Sequence, residues 1–142
     1  MNYINKIILL LPTSIALFSC TNNTNITNND YSLNDFSLKQ LDHIGSPNFT
    51  LDSSNAQINP VSNNIEAENV EIILFQNKLF KNISSSLCIF NRLKNTIELK
   101  DNIIIKGFTS KNTYVKADYL KWNIDDSTIL LHGNINLNYQ ST

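Results

Sequence analysis

The sequence predicts an all-β fold: a β-solenoid-like or jelly-roll stack built from repeated bent strands that two sheets share. Three observations predict it. From Phe36 onward apolar residues recur at every second position, with few helical stripes. One line is written twice, "TIELKDNIII" from Thr96 and "TILLHGNINL" from Thr128, 32 residues apart. The alternation also changes phase at matching points in the two copies, and a phase change in a strand requires a bulge and hence a bend.

The 142 residues leave room for one domain. "MNYINK" opens the chain with one positive charge, and "IILLLPTSIALF" follows it. That apolar run is too short to cross a hydrocarbon core of roughly 30 Å as an anchor. It ends in "LFSC", which resembles the bacterial lipobox. The resemblance implies a lipoprotein signal peptide over residues 1–19 and lipidation of Cys20; the alternative is an uncleaved membrane segment. Residues 20–35, rich in Asn and Thr, read as a flexible tether. Residues 36–142 hold the β domain.

Within that domain "FSLKQLD" suits a strand better than the short helix that Ser32 and Asp35 could cap. "HIGSP" is turn punctuation. "NFTLDS" alternates Phe49 with Leu51, "NPVSNN" is a loop, and "IEAENVEIILF" resumes the alternation. The strands "LFKNISSS", "LCIFNR", "TIELK", "NIIIKGF", "TYVKADYLKWN", "TILLH" and "NINLNYQ" follow, most of them set off by short polar turns. Asn, Asp and Ser supply the turns, since there are 3 Gly. The heavy use of Asn otherwise reads as compositional bias.

Composition excludes several functions. Lys and Arg total 11 against 12 Asp and Glu, for a net charge of −1, and the basic residues are scattered. Nucleic acid is therefore not an expected partner. No glycine-rich loop, metal-spaced His/Cys cluster or nucleophile elbow is present, so neither cofactor nor metal is expected. Cys88, among apolar neighbours, reads as a small buried hydrophobe. Glu98 and Asp118 could in principle form a glycosidase dyad, but solvent-facing strand charges explain them better. The expectation is a protein that is not an enzyme.

Sliding the chain by 32 residues sets Ile83 on Val115, Cys88 on Leu120, Phe90 on Trp122, Ile97 on Ile129, Leu99 on Leu131 and Ile103 on Ile135. The phase switches fall at Ser86-Leu87 and Asp118-Tyr119, with second bends at Asp101-Asn102 and Gly133-Asn134. A weaker copy precedes them at Ile65-Glu66-Ala67 and Asn69-Val70, one residue shorter. Each unit is one rung of a β stack.

"VKADYLKWNIDDSTILLHGNINL", from Val115 to Leu137, closely resembles the repeating phrase of the lipopolysaccharide-export proteins LptC, LptA and the OstA-like domain. "NTIELKDNIIIKG" is its earlier copy, and "LKQLDHIGSPNFTLDSSNAQINP" is similar to the opening segment of LptC. The resemblance runs from about Leu38 to Leu137. It implies a periplasmic lipid carrier that binds acyl chains of lipid A between two β-sheets. Such a carrier receives lipopolysaccharide from an inner-membrane ABC transporter and passes it to an LptA-like bridge by edge-strand pairing. It further implies a twisted antiparallel, V-shaped β-jelly roll on the periplasmic face of the envelope at the inner membrane; the lipobox adds a tether by lipid on Cys20, where many members use an uncleaved transmembrane helix. The residues expected to line the interior are Phe49, Leu51, Ile83, Phe90, Ile97, Leu99, Ile103, Ile105, Val115, Trp122, Ile129, Leu131, Ile135 and Leu137. A β-rich envelope lipoprotein that acts as scaffold without a ligand is the alternative.

Overall fold

The computed structural model describes residues 30–76, 80–107 and 113–138. The expected signal peptide, Cys20 and the expected tether as far as residue 29 lie outside them. The regular elements are all strands: β1 (Tyr31–Leu41), β2 (Pro47–Asn59), β3 (Asn64–Leu74), β4 (Phe80–Asn91), β5 (Thr96–Gly107), β6 (Tyr114–Asn123), β7 (Thr128–His132) and β8 (Asn136–Asn138). Neighbours in sequence pair antiparallel from β1 to β7, and β8 pairs β6. β1 starts already at Tyr31, since Tyr31 and Leu33 stand opposite Ile58 and Ala56. "FKNISSS" and "LCIFN" form a single strand, as do "TIELK" and "NIIIKG". What reads as a break between strands is a bend inside one.

The bends form a line across the sheet. Register shifts fall between Ser84 and Leu87 in β4 and between Lys100 and Ile103 in β5. Asp35, Asn69, Asp101, Asn102 and Gly133 all have positive φ there. Asn, Asp and Gly are the residues that enter the left-handed region at least cost. Three of the bends are latched by a side chain to a residue earlier in the chain. Asn69 Nδ2 donates to Ser54 Oγ at 3.3 Å, Asn102 Nδ2 to Ser86 Oγ at 3.0 Å, and Asn134 Nδ2 to Asp118 Oδ2 at 2.8 Å. Ser54, Ser86 and Asp118 recur at intervals of 32 residues.

The bends divide the strands into two limbs, and the limbs face each other. Phe49 lies on β2 before the bend, whereas Trp122 lies on β6 after it. Along a flat sheet those strands would be about 19 Å apart. Their rings meet at 5.1 Å, and those of Phe49 and Phe90 at 6.2 Å. One continuous sheet has therefore folded over onto itself, which realises the two-layer V with shared strands.

Side-chain size follows the wedge. Near the bend many inward positions are small: Ser53, Ala56, Ala67, Val70, Ser85, Cys88 and Ala117, all buried beside the larger Leu99, Ile103 and Leu120. Away from it stand Phe49, Ile65, Leu74, Phe90 and Trp122. Small residues let the layers converge at the apex, and large ones fill the gap where they diverge. Buried Ser85 Oγ lies 2.7 Å from the Leu87 carbonyl and accepts from the Leu87 N–H, so the bent backbone keeps its partners.

The turns at the outer tips of the second limb repeat as well. Asn59 Oδ1 accepts from the N–H of Val61 and Ser62, Asn91 Oδ1 from Lys94, and Asn123 Oδ1 from Asp125. Asn63, Asn95 and Ser127 close these turns with positive φ. Asx turns and left-handed geometry are what Asn supplies cheaply. Much of the Asn that reads as compositional bias is thus carrying turn and bend geometry.

Candidate functional site

The slot between the limbs is the feature on which a site can be built. Residues directly opposite in an antiparallel pair share a face. Leu137 faces inward beside Val115, Leu131 beside Leu120, and Ile129 beside Trp122. At the other end Tyr31, Leu33, Phe36 and Leu38 face inward beside Ile58, Ala56, Ser53 and Leu51.

The fourteen expected lining residues divide into three groups. Phe49, Leu51, Ile83, Ile97, Leu99, Ile103 and Ile105 are at most 1% exposed, and Phe90 and Trp122 are 5% exposed. They close the middle of the slot. Val115, Ile129 and Leu131 are half-buried against that core. Ile135 and Leu137, expected inside, are 56% and 67% exposed. Leu137 lies in β8, a strand of three residues, and Ile135 just before it; among the described residues no further strand covers them. The slot is sealed in its centre and apolar but open at its ends.

Sequence reasoning left out the β1 end: Tyr31 and Leu33 are exposed, while Phe36 and Leu38 are half-buried against the core. The signal was present in "YSLNDFSL", where apolar alternation switches phase at Asp35 as it does at the other bends. Both ends of the slot coincide with strand edges. Among the described residues β1 has a strand neighbour on one side only, and so do β7 and β8. Exposed edges of this kind present free N–H and C=O groups to a further strand.

The titratable groups are engaged elsewhere. Glu98 Oε1 lies 3.0 Å from Lys121 Nζ on the outer face. The hydrogen bond from Lys121 holds the Glu98 carboxyl below its ordinary range, and the same bond raises the lysine. Asp118 is occupied by Asn134 at the bend, where its Oδ2 also accepts the Asn134 N–H at 3.0 Å. Among the described residues no group of three or more His, Cys, Asp or Glu could hold a metal ion, and no helix is long and apolar enough to cross a membrane. Cys88 is fully buried, and burial pushes its thiol up to about 12. Its alkylation by a maleimide at neutral pH is therefore expected to proceed no faster than unfolding. Rapid labelling of the folded chain at Cys88, located by peptide mass, would contradict this packing.

The family model described as lipopolysaccharide-assembly, LptC-related, matches residues 7–130. The chain belongs to this family. No curated protein matches it by sequence. As an LptC-related protein it takes part in lipopolysaccharide transport, with its place in the cell envelope, and the family is one of transport rather than catalysis. The phrase that carries the LptC resemblance falls on the latched bend. Ala117 and Asp118 supply the even strand, Gly133 and Asn134 the odd one. An added Cβ on Gly133 would stand 2.5 Å from Asp118 Oδ2, and its φ is +83°. Gly at this position is a demand of close packing as well as of backbone conformation.

Proposed function

We propose that this LptC-related chain is a lipid carrier, holding acyl chains of lipopolysaccharide against the inward apolar faces at the ends of its slot. The observation that carries the reading is the exposure of Leu137 on the inward face beside Val115, with Ile135 exposed just before it, at what is a sheet edge among the described residues. Covering apolar surface there with an acyl chain contributes about 0.8 kcal/mol per buried CH₂. In this reading lipopolysaccharide arrives from an inner-membrane ABC transporter and leaves for an LptA-like protein whose strand pairs with the open edge. The family match begins at Ile7, inside the apolar N-terminal run, which supports reading that run as the chain's export segment. Lipid on Cys20 is part of the proposal, and incorporation of labelled palmitate that disappears in Cys20→Ala tests it.

Photocrosslinking tests the carrier. Probes at Leu137 and Leu131 are expected to trap lipopolysaccharide in cells, and a probe at Leu130, exposed on the outer face, is not. The competing scaffold reading has one observation in its favour, the completely filled centre of the slot. It wins if probes at Leu137 and Leu131 trap no lipopolysaccharide while Leu130 traps a protein.

A further inference from the structure

Acyl chains that move from the β1 end to the β8 end must pass the sealed middle, where inward residues from β2 to β6 are buried. Seven strand positions span about 29 Å. The limbs must therefore part during transfer, and the structure shows where they are held and how strongly. At the apex the backbone is continuous and the bends carry latches of 2.8 to 3.3 Å. At the mouth, by contrast, Gln40 near the end of β1 donates from Nε2 to Asn95 Oδ1, in the turn between β4 and β5, at 3.4 Å. Asn95 is itself braced by its Nδ2 bond to Asp125 and by its carbonyl, which accepts the Ile124 N–H. Behind this bond stand the edge-on rings of Phe49, Phe90 and Trp122, which touch across the limbs without hydrogen bonds between them.

We propose that the mouth between Gln40 and Asn95 is a gate, with Phe49 against Phe90 and Trp122 as its plug, through which acyl chains enter the slot sideways. The proposal rests on the carrier reading and adds the route. Opening hinges at the latched bend, breaks the long Gln40–Asn95 amide bond and slides edge-on aromatic contacts apart. Dispersion contacts of this type can be exchanged for contacts with an acyl chain, which a saturated polar seam could not offer. The half-buried Gln40 sits where it can report on the gate without belonging to the core.

The test uses the full lipid-anchored chain with Gln40→Cys and Lys94→Cys, joined by a cleavable bismaleimide; Cys88 is buried and stays silent. Uptake of fluorescent lipopolysaccharide is followed with the link closed and after its cleavage. The closed form is expected to take up lipid at least about tenfold more slowly, with full recovery on cleavage, in keeping with an opening step that the link forbids. Gln40→Ala, which lacks only the amide bond, is expected to take it up about fivefold faster at unchanged thermal stability. Uptake by the closed form at the rate of the cleaved form overturns the gate, because lipid then enters through the open ends. No uptake by the cleaved or unmodified chain overturns the carrier reading, and the gate with it.

Discussion

Replacing Gly133 by alanine is expected to cost about 2–4 kcal/mol, among the larger penalties for a single methyl group on this surface. Two terms add. An alanine at φ +83° sits in the left-handed region at about 1–2 kcal/mol. The new Cβ would also stand 2.6 Å from Asp118 Cβ and 2.8 Å from its Cγ, so the backbone there must shift and the Asp118 carboxylate leaves its place. Asn134 then loses its bonds from both N and Nδ2, each worth about 1 kcal/mol. Urea denaturation measures the sum. A cycle with Asp118→Ala separates the terms: that variant forfeits the Asn134 bonds alone, so the double variant should be scarcely worse than Gly133→Ala. Strict additivity would mean that Asp118 and Gly133 do not share one latch. Amide exchange should show the loss first in β8, which hangs from this bend.

Phe49→Ala is expected to be the most damaging core substitution, at about 3–5 kcal/mol. Phe49 is fully buried and packs edge-on against both Phe90 and Trp122, so one truncation leaves a void shared by two strands of the opposite limb. Removal of that ring also removes the contacts that hold the limbs together at their tips. Leu137→Ala, by contrast, should change stability by less than about 0.5 kcal/mol, because its side chain is already in water. The pair is informative when measured together. A large loss at Leu137 would place it in a core, and a small loss at Phe49 would mean that the limbs are not packed where their rings meet.

Much of this architecture was legible from one repeated line. The matched pair Asp101-Asn102 and Gly133-Asn134 marked the bends, and the register shift and positive φ fall there. The phase switch at Ser86-Leu87 coincides with the bulge of β4. Continuity was harder to read. A bulge interrupts alternation just as a turn does, so β4 and β5 each look like two strands until their hydrogen bonds are seen. The partnership of Asp118 with Asn134 was hidden because it joins residues 16 apart whose proximity depends on the fold. At the site, alternation told which side Ile135 and Leu137 face. It could not tell whether another layer lies over them, since cover depends on how many strands follow. The β1 end was missed for a related reason: five polar-looking residues before Phe36 were read with the tether, although Tyr31 and Leu33 already keep the inward phase.

The 32-residue spacing of Asn63, Asn95 and Ser127 has a consequence for length. Each unit brings its own turn, its own bend and its own latch, so nothing in a unit depends on how many others there are. Adding one lengthens the molecule by two strand spacings, about 9.6 Å, and leaves both ends as they were. The chain is in effect a ruler graduated in units of one repeat. A duplication or deletion in frame with the repeat should yield a folded protein of a new reach, whereas one out of frame by a single residue would turn every inward side chain outward.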